Sequence, residues 1–295
     1  MNILDAERIL DRFYSKSNYS EEEEYEFIEA LEYLIDQTND PNYMMQLGGH
    51  YYGIRRFDLA LKYYEMAANF EILDAYECLG YIWYYGRTGE RDYEKAFGYF
   101  QKAADGGDAI AAYKLADMYK NGYFVEKDYE KYKEIIEDLY IRYKAETSIW
   151  LGNPVPEIYT RLARIRKEES RIDEAVELYF DAKHFLAQRI RLNPFFGNLN
   201  IMKWLVQDLY TITEFDEDFA DIFDLYYLLG TPAVVEFRYD DETYKVESLE
   251  EDGETVIHFE DKWYRTIDDF FAKAEINNEL LTAIYAELYI ISVNR

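Results

Sequence analysis

Histidine, cysteine, proline and basic side chains are scarce in this chain, and their scarcity closes off whole classes of chemistry. One cysteine, Cys78, cannot form an internal disulfide, and within a helical stretch it reads as a small core residue. The three histidines, His50, His184 and His258, lie far apart, and none stands at the spacing of metal ligands. His50, at the end of a helical stretch, reads as a cap or a groove residue. No Gly-x-Ser-x-Gly and no phosphate-cradling glycine loop occur, because Asp105-Gly106-Gly107 joins two helical stretches. Carboxylates are too plentiful to be diagnostic, and Asp216-Glu217-Asp218 lacks the ordered oxygen ligands of a calcium loop. No run approaches the roughly 18 apolar residues of a membrane span, and no apolar leader follows a basic start. The expectation is a cytoplasmic non-enzyme with no catalytic residue, no metal and no cofactor.

What the chain does have is a phrase said several times. Leu47, Leu79 and Leu115 are each followed by a small residue, Gly48, Gly80 or Ala116, and four residues on by an aromatic, Tyr51, Trp83 or Tyr119. One turn apart, leucine and aromatic share a helix face, and the small residue lets a neighbouring helix approach. A turn with Gly53, Gly86 or Gly122 follows. A second helix then carries Ala60, Ala96 or Tyr132, and a turn later Tyr63-Tyr64, Tyr99-Phe100 or Ile135-Ile136. The leucines are 32 and 36 residues apart, which is the period of helical-hairpin solenoids.

The first copy resembles the tetratricopeptide repeat through Met44, Leu47, Gly48, Tyr51, Ala60, Tyr64 and Ala67. The second and third look like the longer Sel-like variety, with Asp105-Gly-Gly-Asp108 and the stretch from Asn121 to Lys131 close to that family's wording. A fourth copy at Glu157–Gln188 keeps Ile158, Leu162, Ala163, Ala175, Tyr179 and Ala182. It places Arg166 where the aromatic is expected, which predicts looser packing there. The resemblance spans residues 41–190. It implies that the inner face of each first helix lines a partner-binding groove, which here offers Glu77, Tyr81, Tyr84, Tyr113, Asp117, Lys120, Arg164 and Lys167. Against that stands packing within the superhelix, which would use the 32 tyrosines as core aromatics with their hydroxyls at the surface.

Ile3–Tyr14 and Ser20–Gln37 form a helical pair before the repeats, with a capping box at Ser20 and Glu23. Beyond Asn193-Pro194 the phrase fades. Helices are expected at Leu199–Thr211 and Phe215–Leu229, then strands at Val234–Tyr239, Thr243–Ser248 and Thr255–Phe259. A helix from Ile267 to Glu275 and a last one over Asn278–Ile291 complete the expectation. Trp263-Tyr264 reads as a core anchor. The fold class is therefore mainly α: a helix-turn-helix repeat solenoid with a small C-terminal α+β domain, a short antiparallel sheet plus helices. The expected segments are 1–40 (N-terminal cap), 41–192 (repeats), 193–232 (helical connector) and 233–295 (α+β domain).

The net charge is −28. Residues 1–40 hold 12 acids against 3 bases, and residues 212–262 hold 17 against 3. Such ends repel nucleic acid and anionic membranes and favour a partner with a basic surface, unless the surplus acid serves only solubility. Three functions follow. The first is an adaptor that binds another protein through the groove. The second is an acidic inhibitor, a nucleic-acid mimic such as an immunity or phage counter-defence protein. It would block a basic site through Asp216, Glu217, Asp218, Asp240, Asp241, Glu250, Glu251 and Asp252. The third is a self-assembling homo-oligomer pairing acidic ends with the basic stretch around Arg161–Arg191. The Sel-like wording points to a bacterial source.

Overall fold

The structure is a computed structural model that describes residues 1–16, 19–148, 153–194, 196–216, 220–251 and 253–294. The chain divides into two compact units, 1–135 and 136–295.

Unit one is a succession of antiparallel helices: α1 (Ile3–Tyr14), α2 (Glu21–Thr38), α3 (Pro41–Gly53), α4 (Phe57–Ala68), α5 (Leu73–Tyr85), α6 (Tyr93–Asp105), α7 (Ala109–Asn121) and the start of α8 (Tyr129–Tyr143). Short polar side chains begin most of them. Ser20 and Glu23 form the expected capping box on α2, and Asp40, Asp92 and Asp108 accept from first-turn amides of α3, α6 and α7. Gly86 and Gly122 end α5 and α7 in the left-handed region, at φ 63° and 72°. In the first repeat that place is taken by Arg55, at φ 61°, while Gly53 is still helical.

The small residues do what the spacing predicts. A methyl group on Gly48 would lie 2.7 Å from the Tyr64 ring, and one on Gly80 would lie 2.5 Å from the Phe100 ring. Only hydrogen at these points lets α3 meet α4, and α5 meet α6, this closely. Leu47, Leu79 and Leu115 are buried, and so is Tyr132, the large residue in a small residue's place. Cys78 packs on the margin of this core, and burial raises its thiol pKa well above the ordinary value, so it stays protonated.

Unit two opens with the rest of α8 and the pair α9 (Val155–Glu168) and α10 (Ile172–Leu192), followed by α11 (Phe196–Leu209). Ile158, Leu162, Ala163, Ala175, Tyr179 and Ala182 are buried as the fourth copy requires. Arg166 does not loosen it. The guanidinium is mostly buried and pairs with Glu137 at 2.8 Å and Glu169 at 3.1 Å, replacing an aromatic contact with ionic ones.

The C-terminal part departs from expectation in three places. Phe215–Leu229 is not one helix: its described part holds a 3-10 turn at Ile222–Asp224 and the short α12 (Leu225–Leu228). The sheet has five strands rather than three, in the order β4-β3-β2-β1-β7, all antiparallel: β1 (Ala233–Tyr239), β2 (Glu242–Glu251), β3 (Glu254–Phe259), β4 (Lys262–Tyr264) and β7 (Tyr289–Asn294). The helix expected over Asn278–Ile291 does not form. Asn277 and Asn278 take φ 54° and 66°, a tight turn joining β5 (Glu275–Ile276) to β6 (Glu279–Leu280). Beyond them Ile290, Ile291 and Val293, β-branched and stiff at χ1, extend as β7 against β1.

The helix after β4 is α13 (Ile267–Lys273), capped by Thr266 as expected. Phe270 and Phe271 pack it on the inner sheet face, where Val235, Phe237, Val246, Ile257 and Phe259 are buried. Of the expected anchor pair only Tyr264 is buried. Trp263 is 55% exposed on the outer face, its ring tilted against His258 with centroids 4.4 Å apart, because strand alternation sends adjacent residues to opposite faces.

Candidate functional site

In unit one the first helices of successive repeats, α5 and α7, bring a set of phenols together. Tyr81 and Tyr84 project from α5 with Tyr85, and Tyr113 projects from α7. The Tyr81 and Tyr113 hydroxyls are 3.4 Å apart. Tyr81 and Tyr84 meet the buried Phe100 ring edge-on at 5.7 and 6.1 Å, and Tyr84 also meets Tyr93 and Tyr123. Desolvation, helped by Tyr113 and Glu77, holds the Tyr81 hydroxyl well above its ordinary pKa. Desolvation and Asp117 do the same for Tyr84. Both therefore remain neutral hydrogen-bonding groups across the physiological range. Tyr113 is only 3% exposed, so it supports the face more than it presents one. Glu77 and Asp117 are half-buried beside these rings, and Lys120 lies 4.8 Å from the Tyr132 ring.

The cluster is organised by a residue that sequence reasoning passed over. Lys114 is 93% buried by its 7% exposure, and its ammonium lies 5.0 to 5.7 Å from the ring centroids of Tyr81, Tyr84, Tyr85 and Tyr113. It donates to the Tyr85 hydroxyl at 3.0 Å and makes no ion pair among the described residues. A buried cation is costly to desolvate, and four ring faces return part of that cost at about 0.5–2 kcal/mol each. On the same ring, Arg87 lies 4.9 Å from the Tyr85 centroid and donates to the Tyr52 hydroxyl at 3.2 Å. Tyr85, the exposed member of the set, thus sits against two cations. The available signal was Lys114's place between two buried neighbours, Tyr113 and Leu115.

In unit two, the other two groove candidates lie on α9 and are engaged from α11 and the turn that follows it. Arg164 pairs with Asp208 at 2.6 Å, and Lys167 donates to the Thr211 hydroxyl at 2.7 Å. A buried ionic centre sits deeper in this unit. Lys183 on α10 lies 2.6 Å from Asp224 and 3.2 Å from Asp221, pinning the 3-10 turn to the helix. Desolvation pushes Asp224 up to about 6 against the pull of Lys183.

Of the histidines only His50 is packed into the helices. His50 is neither a cap nor a groove residue: its Nε2 is 2.9 Å from Glu24 and its ring lies against Phe27, tying α3 to α2. His184 meets Gln188, and His258 lies under Trp263. Among the described residues no cluster of His, Cys, Asp and Glu could hold a metal ion, and no helix is long and apolar enough to cross a membrane. Of the acidic candidates, Asp216, Asp240, Asp241, Glu250 and Glu251 are exposed, and Glu217, Asp218 and Asp252 lie outside the described residues.

The Sel1 repeat family matches residues 41–69, 74–108 and 109–131. Among solved structures, a Sel1 repeat protein from Oxalobacter formigenes is 17% identical, with 77% of this chain and 82% of that chain covered and a TM-score of 0.50. The c5321 protein, a protective antigen of uropathogenic Escherichia coli displaying an SLR fold, is 19% identical. The match covers 63% of this chain and 44% of that one, with a TM-score of 0.43. No curated protein matches. Sel1 repeats generally mediate protein–protein interaction and are typically non-enzymatic scaffolds. The chain thus carries three Sel1 repeats in register over residues 41–131, on a helical-hairpin fold like that of the Oxalobacter formigenes protein, and a five-stranded sheet near its C-terminus.

Proposed function

We propose that this protein is a non-enzymatic adaptor that holds a partner protein on the α5–α7 face of its repeats, in the cytoplasm. The observation that carries this reading is the tyrosine set around Lys114, with Tyr85 exposed between two cations. Aromatic side chains with a polar tip supply contact area at low entropic cost, and such residues dominate interface energetics. Arg164 and Lys167, already bonded within unit two, contribute less. The acidic segments elsewhere favour a partner that carries a basic surface, steering its approach over a distance.

The test is affinity capture from the native source with the full chain and with Tyr84→Ala/Tyr85→Ala, at low and at high salt. A partner that resists salt, and whose affinity falls at least tenfold in the double variant, supports groove recognition, since a central aromatic is worth about 2 kcal/mol or more. Equal capture by both proteins refutes it. The second reading, an acidic inhibitor, is favoured by the exposed Asp240, Asp241, Glu250 and Glu251 at the two ends of the sheet. It predicts the reverse: capture indifferent to the tyrosines and steeply lost with salt.

A further inference from the structure

The two edges of the five-stranded sheet are built differently. At one edge β4 is three residues long, carries Lys262 and is flanked by Glu260, Asp261 and Arg265, the usual defences of an exposed edge. At the other, β7 runs for six residues, Tyr289-Ile-Ile-Ser-Val-Asn294, without one charge, in a chain where charged residues make up 31%. Tyr289 is 64% and Ile291 38% exposed. Among the described residues, the backbone of 289–294 hydrogen-bonds only within its ladder to β1. One side of a long, uncharged, β-branched strand is left open.

We propose that this edge is a homodimer interface, in which β7 of a second copy pairs antiparallel with β7 across a two-fold axis to make a continuous ten-stranded sheet. Charge selects the occupant. Each of the other four strands carries charged residues, such as Glu236 and Arg238 on β1, Lys245 and Glu247 on β2, Glu254 on β3 and Lys262 on β4. Only a second β7 sets no charge opposite the edge. A two-fold sets one residue of β7 opposite its own copy, and centred on Ile291 it puts Tyr289 opposite Val293 and Ile290 opposite Ser292. The acidic turn Asp240–Asp241 lies at the Tyr289 end of the sheet, since Arg238 pairs with Tyr289. The two-fold therefore holds the two copies' turns at least about 14 Å apart along the strands, the length of four extended residues. That exceeds the screening length of about 8 Å at physiological salt.

Two consequences set this dimer apart from assembly by charge order. The pairing is small beside a standard interface of about 1,600 Å², so its affinity falls in the micromolar range. And because each copy carries −28, salt strengthens it instead of weakening it.

Sedimentation velocity of the full chain, over micromolar to hundred-micromolar protein at about 0.05 and about 0.5 M salt, tests this. The expected result is a monomer–dimer equilibrium that tightens with salt. It should weaken at least tenfold in both Ile291→Lys and Tyr289→Lys, each an exposed position where the melting temperature should hold. Hydrogen exchange of wild-type protein should show amides of 289–294 gaining protection as concentration rises. A wild-type monomer throughout overturns the proposal. So does a dimer indifferent to both substitutions, or one that dissociates as salt is raised.

Discussion

Gly80→Ala and Gly98→Ala are the same chemical change on neighbouring helices, and the structure predicts opposite signs for them. An alanine is worth about 1 kcal/mol over glycine inside a helix, from propensity alone. At Gly98, on α6, nothing lies within 4 Å of the added methyl, so that gain should appear undiminished. At Gly80 the methyl would stand 2.5 Å from two ring carbons of Phe100 and 2.9 Å from a third. Carbon contacts settle at about 3.5–4.0 Å, so the ring must retreat by about 1 Å. Phe100 is fully buried, with Tyr81 and Tyr84 edge-on against it, so it has no free direction. Overpacking of this kind costs about 1–3 kcal/mol. Because propensity cancels between the two variants, their difference isolates the clash, at about 1–3 kcal/mol, or several degrees in melting temperature for a chain of this size. Gly48→Ala, 2.7 Å from Tyr64, and Gly49→Ala, 3.9 Å from the same side chain, repeat the comparison on α3. Thermal and urea unfolding measure all four. Equal stability of Gly80→Ala and Gly98→Ala would mean that α5 and α6 do not meet at Gly80, and the repeat geometry argued here would fail with it.

Two further outcomes follow from buried cations. Lys183→Met strips Asp224, fully buried, and Asp221 of their cation, and should cost about 3–5 kcal/mol near pH 8. Asp224's folded pKa of about 6 lies above the ordinary carboxylate value of about 3.9, so the folded state binds the extra proton. That contribution is complete below about pH 4 and lost as pH rises through about 6. Without Lys183 the Asp224 carboxyl rises further, so the gap between wild type and variant should narrow as pH falls from about 8 towards about 6 and level off below that, and urea midpoints showing a pH-independent gap refute the assignment. Among the described residues Lys114 makes no ion pair, so Lys114→Met should stay within about 1 kcal/mol of wild type, while Lys114→Ala, which loses the packed stem, should cost about 2 kcal/mol or more. A large loss in the methionine variant would show that the charge itself is needed.

What was legible in the chain was whatever neighbours in sequence decide. Leu47, Gly48 and Tyr51 specify a helix face within one turn, and Ser20 with Glu23 a helix start. These local signals recur in each copy, so the repeats could be read without any long-range contact. The segment after Ala274 failed because two periods compete there. Leu281, Ile284, Leu288 and Ile291 fit a helical stripe, but the Asn277-Asn278 turn and a vacant edge on β1 fit strands, and only the second option buries Ile290 against the sheet. At the candidate site, Tyr81, Tyr84 and Tyr113 were named by the repeat resemblance, and the structure brings their rings together. Lys114 was not, because a lysine reads as solvated until the rings of a helix 29 residues earlier close around it. Arg164 and Lys167 read as groove residues because their partners, Asp208 and Thr211, are 44 residues away in the chain.

The acidity itself has more than one cause, and separating them changes what it implies about a partner. Asp40, Asp92 and Asp108 accept from the amides that open α3, α6 and α7, and Glu23 closes a capping box, so these carboxylates are part of the helices. Asp240 and Asp241 occupy left-handed positions at φ 48° and 64°, where aspartate, asparagine and glycine are the residues a tight hairpin accepts. Asparagine would serve that turn without charge, and the chain uses it at Asn277-Asn278. Backbone geometry thus explains an Asx residue at 240–241 but not the choice of acid. Neither capping nor turn geometry calls for Glu250 and Glu251, exposed at the end of β2 where β-propensity disfavours glutamate. Those residues, rather than the total of −28, are the acids that the backbone does not ask for, and substituting them tests the proposed attraction to a basic partner without disturbing a cap or a turn.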